Sequence, residues 1–151
     1  MPVGPDVERL RAAGLRVTQP RLAVLAAVRD RPHLDADTIT RLARARLGRI
    51  SGQAVYDVLH ALTGAGLLRR FAPAGGPARY ELGGDDHDHL VCRDCGAIVD
   101  TRRDRAPGPC LDPGAAAFAV EFTEVTYWGR CPGCQPQHDR RQPPHRSGGE
   151  P

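Results

Sequence analysis

The chain has 151 residues, of which 40% are hydrophobic and only seven are aromatic (one Trp, three Tyr, three Phe). This length allows one medium domain or two small ones, and a small domain benefits from a structural metal or from dimerisation. A net charge of +3 permits nucleic-acid binding without requiring it. No apolar run approaches the roughly 18 residues that span a bilayer, and no secretory signal is visible. We therefore expect a soluble, cytoplasmic protein without a membrane partner, whose cysteines bind metal rather than form disulfides.

Residues 6–66 have the apolar spacing of four short helices. Each of the last three begins at a side chain that can accept a hydrogen bond from the first helical turn: Thr18, Asp35 and Ser51. In the fourth helix the apolar residues fall on one face: Val55, Val58, Leu59 and Leu62. This face is predicted to pack inward, leaving the polar face of the helix to solvent or to a partner.

Two short strands, 67–72 and 78–82, follow the helices and are joined by a turn rich in proline and glycine. Helices followed by a hairpin are the order of a winged helix-turn-helix. The fold class is therefore α+β, with that domain followed by a small second domain. Its residues alternate as β-strands do at 89–92, 96–101 and 118–128, and Trp128 is interpreted as a core residue. The predicted organisation is a winged helix at 1–82, a hinge at 83–86, a second domain at 87–134 and a disordered tail at 135–151.

The outer face of the fourth helix, near its start, is a candidate for reading DNA bases. A glutamine can bond adenine bidentately and a tyrosine ring can contact the thymine methyl group when such a helix lies in the major groove. The alternative is an ordinary solvated helix face with scattered arginines. The candidate nucleic-acid residues are Arg16, Arg21, Ser51, Gln53, Tyr56 and Asp57, and the Arg69–Arg70 pair is a further candidate for phosphate contacts.

Two Cys-x-x-Cys pairs frame the second domain and predict a closed tetrahedral Zn²⁺ site: Cys92, Cys95, Cys131 and Cys134. The alternative is a redox-active pair or two unrelated thiol pairs. The fifth cysteine, Cys110, is interpreted as a thiol outside the metal site.

A second, chemically different ligand set begins at His87. Because side chains alternate along a strand, His87 and His89 share a face and Asp88 lies on the other. Glu81, at the end of the hairpin, and Asp100, on the next strand, can converge on the face of the histidines. Imidazoles and carboxylates suit an exchangeable divalent metal. The alternative for each residue alone is a solvated surface side chain.

These motifs together resemble the ferric uptake regulator (Fur) family over residues 6–134. The matching segments are Gly14-Leu-Arg-Val-Thr-Gln-Pro-Arg21, Ala54-Val-Tyr-Asp-Val-Leu59, Ala65-Gly-Leu67, Ala78-Arg-Tyr-Glu81, His87-Asp-His-Leu-Val-Cys92-x-x-Cys95-Gly and Tyr127-Trp-Gly-x-Cys131-x-x-Cys134.

The resemblance implies a homodimeric, metal-dependent repressor that is not an enzyme and that binds a palindromic, AT-rich double-stranded operator. It implies an α/β dimerisation domain after the hinge, with structural Zn²⁺ at the four cysteines. It also implies a regulatory site, filled by Fe²⁺, Mn²⁺ or Zn²⁺ in different members, at His33, Glu81, His87, His89 and Asp100. The sequence alone does not join His33 to the other four.

Departures from the family pattern refine the expectation. Many members have arginine where Asp57 stands, and a third metal site is not expected because Asp86 and Thr123 replace its histidines. The segment Gln53–Leu59 and the Pro-Cys-Leu sequence around Cys110 resemble the branch that controls catalase-peroxidase genes under oxidative stress.

In peroxide-sensing members the oxidised residues match His33 and His87. The position that matches Glu81 is often aspartate in those members. The alternatives are an iron-uptake regulator that uses Fe²⁺ purely as corepressor and a zinc-ribbon interaction module without DNA binding. A metallohydrolase at residues 87–89 is disfavoured because the strand splits the three side chains between its faces.

Overall fold

The computed structural model describes residues 4–73, 75–84, 87–102, 118–119 and 124–136. The chain divides into two compact units, Met1–Asp86 and His87–Pro151. None of the described helices combines the length and the apolar character that a membrane span requires.

The first unit contains the four helices that the apolar spacing predicts: α1 Pro5–Ala12, α2 Gln19–Asp30, α3 Ala36–Leu47 and α4 Gly52–Gly64. The three predicted caps are confirmed. Thr18 Oγ1 accepts from the backbone N–H of Arg21 at 3.4 Å, and Asp35 Oδ1 accepts from that of Thr38 at 2.7 Å. Ser51 Oγ accepts from the backbone N–H of Ala54 at 3.0 Å. Each cap satisfies a donor that the helix itself leaves without a partner, which is worth about 1 kcal/mol.

One aliphatic core holds these helices together. Its fully buried members are Leu10, Val24, Leu25, Val28, Ile39, Val55, Leu59 and Leu62. Three of the four predicted inward residues of α4 are therefore core residues, and the fourth, Val58, is half-buried against them. Because these side chains fix the rotation of α4, its opposite face is exposed.

A three-stranded sheet completes the first unit: β1 Leu34–Asp35, β2 Leu68–Phe71 and β3 Arg79–Leu82. The strands are antiparallel in the order β1-β3-β2. The hairpin β2–β3 confirms the sequence prediction, whereas β1 was not predicted. This two-residue strand pairs Leu34 with Tyr80 and Asp35 with Arg79, and it ties the segment between α2 and α3 to the hairpin.

Gly83 follows β3 directly and lies against the segment that joins α4 to β2. Its backbone N–H donates to the carbonyl of Leu67 at 3.0 Å, and a Cβ atom at this position would lie 2.3 Å from the carbonyl oxygen of Gly66. Only glycine fits this close approach. The first residue of the predicted hinge is thus packed onto the first unit.

The described part of the second unit is a sheet of three strands: β4 His87–Cys92, β5 Ile98–Arg102 and β6 Thr126–Gly129. Its order is β5-β4-β6, with β4 antiparallel to β5 and parallel to β6. A strand from Phe118 to Trp128 was predicted. Phe118 and Ala119 are not in a strand, so the described strand is the shorter β6.

The prediction that Trp128 is a core residue is wrong. Its side chain is 38% exposed, because β6 is an edge strand of the described sheet. The predictions that concern Cys110, the third-site positions Asp86 and Thr123, and the tail beyond Pro136 lie outside the described residues.

Candidate metal and nucleic-acid sites

The four cysteines of the Cys-x-x-Cys pairs meet at one end of the second sheet. Cys92 is the last residue of β4, and the second pair follows β6. Since β4 and β6 are parallel and Cys92 pairs with Gly129, the turns that follow these two strands lie at the same end of the sheet. The four sulfurs lie within 4.8 Å of one another, and Cys95 Sγ is 3.7 Å from Cys131 Sγ. The sequence prediction that the two pairs meet is confirmed.

Backbone hydrogen bonds shape both turns around the sulfurs. In the first, the N–H of Gly96 donates to the carbonyl of Cys92 at 3.0 Å, and Gly96 has φ +71°, a conformation that favours glycine. In the second, the N–H of Cys134 donates to the carbonyl of Cys131 at 2.9 Å. The turns are linked by an ion pair between Arg130 Nε and Asp94 Oδ2 at 3.1 Å. This pair is exposed and contributes little to stability.

The pKa values of the thiols are consistent with a cation bound among the four sulfurs. The backbone N–H of Cys131 donates to Cys92 Sγ at 3.4 Å and, with the N–H groups of Cys95 and Asp94, lowers the pKa of Cys92 to about 6. Side-chain contacts with Cys131 and Cys95 raise the pKa of Cys134 to about 12. Several thiolates cannot ionise together at this distance without a cation. A tetrahedral, sulfur-only donor set of this kind is what Zn²⁺ prefers.

Two predicted nitrogen and oxygen ligands lie together in the first unit. His33 Nε2 is 3.2 Å from Glu81 Oε2, and the side chain of Glu81 is only 4% exposed. His33 directly precedes β1 and has a positive φ of +61°. Among the described residues, every other residue with a positive φ is a glycine. Such a conformation persists in a non-glycine residue only where neighbours hold it. Here the ring packs edge-on against Phe71, and Arg79 Nη1 donates to the carbonyl of His33 at 3.5 Å.

Three more lie together in the second unit. Asp100 on β5 pairs in register with His89 on β4, and its Oδ1 is 3.7 Å from His89 Nε2 and 3.5 Å from His87 Nε2. The prediction that the two imidazoles share a face of the strand is confirmed. His89 is fully buried, whereas Asp100 is half-exposed. Two imidazoles and a carboxylate suit divalent iron or manganese, but they are too few to complete an octahedral shell.

The predicted base-reading residues of α4 are exposed. Ser51, Gln53, Tyr56 and Asp57 all face solvent, and Tyr56 is 51% exposed despite its large ring. Gln53 Nε2 donates to Asp57 Oδ1 at 2.9 Å, one helical turn along. Residues four apart are neighbours on the surface of a helix, so the sequence spacing of Gln53 and Asp57 is a usable signal for this bond. The amide retains a second N–H and its carbonyl oxygen for another partner.

The predicted phosphate contacts differ in their surroundings. Arg16 is exposed, whereas Arg21 is half-buried and its Nη1 donates to the carbonyl of Arg16 at 2.7 Å. Arg21 therefore also holds the segment that leads into α2.

Comparison with known proteins decides the family. The family model described as "Ferric uptake regulator family" matches residues 12–107 of the chain. The chain belongs to the ferric uptake regulator family. The transcriptional regulator FurA of Mycobacterium tuberculosis is 50% identical over 143 residues, which cover 93% of this chain and 97% of that protein. Proteins of this family are transcriptional regulators, and the chain is one of them rather than an enzyme.

Solved structures agree with this assignment. The Vibrio cholerae ferric uptake regulator, in a structure that reveals a rearrangement of its DNA-binding domains, is 29% identical with a TM-score of 0.62. The alignment covers 83% of this chain and 98% of that chain. The Pseudomonas aeruginosa ferric uptake regulator with manganese is 25% identical with a TM-score of 0.65, covering 85% and 99% of the two chains.

Proposed function

We propose that this regulator is a metal-dependent, DNA-binding repressor that works as a homodimer. In this proposal Zn²⁺ at the four cysteines maintains the fold, and an exchangeable Fe²⁺ or Mn²⁺ is the corepressor. The exchangeable metal is held by His33, Glu81, His87, His89 and Asp100. The observation that carries the proposal is that nitrogen and oxygen donors occur as two incomplete sets, one in each compact unit, separate from the sulfur cluster.

Because neither set of nitrogen and oxygen donors is complete by itself, a metal that takes ligands from both is favoured. His33 and Glu81 supply too few ligands for a hard divalent cation, and so do His87, His89 and Asp100. A metal that takes ligands from both sets fixes the orientation of the winged helix relative to the second unit. It thereby sets the spacing of the two recognition helices in a dimer. Nearly complete switching needs about 5.5 kcal/mol of differential binding, which a site of five ligands can supply.

The exposed face of α4 supports the DNA-binding part of the proposal. Gln53, Tyr56 and Asp57 are available at the start of a helix whose rotation the core fixes. A dimer presents two such helices, which suits a palindromic, AT-rich operator. Arg16 and Arg21 are the proposed phosphate contacts.

A mobility-shift titration tests this function. The dimer should bind a palindromic, AT-rich duplex at least tenfold more tightly with Mn²⁺ than with a chelator, because metal is needed to fix the two helices. A scrambled duplex of the same composition is the control, and elemental analysis must show that the chelator has left the zinc in place. Equal affinity with and without Mn²⁺ would contradict the corepressor role. No binding to any duplex would favour a zinc-ribbon interaction module instead.

A peroxide response is the second part of the proposed function, through control of oxidative-stress genes of the catalase type. Ferrous iron held by the five proposed nitrogen and oxygen ligands would supply the electron that reduces hydrogen peroxide, and the resulting oxidant would form beside the imidazoles. The resemblance to peroxide-sensing members assigns the oxidation to His33 or His87, and an oxygen added to either imidazole would remove a ligand. Oxidation of the four thiols is the competing route, favoured because Glu81 stands where peroxide-sensing members often have aspartate.

Peptide mass spectrometry distinguishes these routes. After modest exposure of the Fe²⁺-loaded protein to peroxide, we expect one added oxygen on His33 or His87 and loss of operator binding. The Mn²⁺-loaded protein is the control and should keep both histidines and its DNA affinity. Unmodified histidines with oxidised cysteines would favour the thiol route. If neither changed, the protein would be an iron regulator that uses Fe²⁺ purely as corepressor.

A further inference from the structure

Glu81, the buried carboxylate of the first unit, already has a cationic partner on the neighbouring strand. Arg69 on β2 lies directly opposite Glu81 on β3 in the antiparallel register. Arg69 Nε is 2.6 Å from Glu81 Oε1, while His33 lies on the other oxygen, Oε2. The side chain of Arg69 is 29% exposed and that of Glu81 is 4% exposed, so the pair is only weakly screened by solvent. One oxygen of a proposed metal ligand is thus engaged by an arginine.

An arginine in this position has two opposite effects on a metal at Glu81. It orients the carboxylate, which favours binding, and it places a positive charge within a few ångströms of a second cation, which opposes binding. Arginine stays charged at any physiological pH, so the repulsion is permanent. At an effective dielectric constant of about 20, a unit charge and a divalent cation roughly 5 Å apart repel by far more than a tenfold change in affinity requires. Orientation is the smaller effect, because the backbone register and His33 also position Glu81.

We propose that Arg69 is the built-in competitor of the regulatory metal: it weakens metal binding at Glu81 and so sets the metal concentration at which the regulator responds. This inference rests on the proposed function, since it assumes that Glu81 is a regulatory ligand. It assigns Arg69 a role in tuning metal affinity. The sequence indicates Arg69 and Arg70 only as candidate phosphate contacts, because the register of the hairpin determines which of them lies opposite Glu81.

The chain provides a matched control in the next residue. Arg70 has the same charge, lies on the same strand and pairs with Tyr80 rather than with Glu81. Its side chain is exposed, and strand alternation directs it to the opposite face of the sheet. Replacing Arg70 changes the net charge equally but leaves the ion pair with Glu81 intact.

The test is an equilibrium Mn²⁺ titration of the zinc-containing full-length protein, without DNA. Arg69→Gln keeps an amide that can donate to Glu81 and removes the charge, and we expect at least tenfold tighter Mn²⁺ binding. Arg69→Met, which also removes the charge, must change affinity in the same direction. Arg69→Lys and Arg70→Gln should stay within about twofold of the unmodified protein. Thermal unfolding checks that every variant is folded.

Each outcome bears on one of the two proposals. If the Mn²⁺ affinity is unchanged or weaker in both Arg69→Gln and Arg69→Met, the proposal that Arg69 opposes metal binding is wrong. The proposed regulatory site is still supported in that case, provided that Glu81→Gln abolishes Mn²⁺ binding by the otherwise unmodified protein. If the unmodified protein binds no Mn²⁺ beyond its zinc, or if Glu81→Gln binds it equally well, the proposed site itself is wrong and the inference fails with it.

Discussion

Cys92→Ser is expected to lose zinc and thermal stability together. A structural zinc contributes on the order of 10 kcal/mol of folding free energy, which is comparable to the whole stability of a small domain. Cys92 closes the ring of four sulfurs and ends β4, so its loss opens the tetrahedron and releases the end of the central strand. Elemental analysis should find less than one zinc per chain, and the unfolding midpoint should fall by more than 10 °C.

The matched control for this variant is Cys110→Ser. The substitution is chemically identical, and the sequence predicts that Cys110, which belongs to neither Cys-x-x-Cys pair, lies outside the metal site. We expect full zinc content and an unchanged unfolding midpoint. Full zinc in Cys92→Ser, or equal losses in both variants, would rule out the four-cysteine site as the structural centre.

His87→Ala is expected to abolish the metal dependence of operator binding while the zinc and the dimer remain. Its imidazole lies on the same face as His89 and Asp100, at the opposite end of β4 from Cys92. Removing one ligand from a site of five costs enough metal affinity that Mn²⁺ no longer populates the DNA-binding state. In the mobility-shift titration the variant with Mn²⁺ should therefore bind at least tenfold more weakly than the unmodified protein with Mn²⁺.

The control for this variant is His138→Ala, a chemically identical change in the carboxy-terminal tail. It should bind the operator as the unmodified protein does, with and without metal. Metal-dependent binding that survives in His87→Ala would show that the corepressor is bound elsewhere. Loss of zinc from His87→Ala would indicate a folding defect instead, and Asp100→Asn would then provide the independent test.

The parts of the fold that depend on local signals were predictable from the sequence. Helix caps act within three residues, so Thr18, Asp35 and Ser51 mark their helices correctly. The four cysteines were also predictable, because metal chemistry requires that spacing whichever fold surrounds it.

Features that depend on long-range pairing were not predictable. β1 has only two residues, and it forms because β3 offers an edge to pair with, which no local pattern shows. The same holds for Arg69, whose role depends on which residue of β3 lies opposite. His33 was assigned through family resemblance alone, since its left-handed backbone is imposed by its tertiary neighbours. Trp128 was misjudged because burial of an edge strand depends on what covers it.

Strand β4 carries two of the proposed corepressor ligands at its beginning and a proposed zinc ligand, Cys92, at its end. A strand transmits position along its length almost rigidly, and a slip of one residue would turn every side chain to the other face. We therefore expect that loss of the metal from the sulfur cluster, which would free the end of β4, also disturbs the positions of His87 and His89. Under the proposed function, zinc content and reduced thiols would therefore be a precondition for any response of this protein to iron.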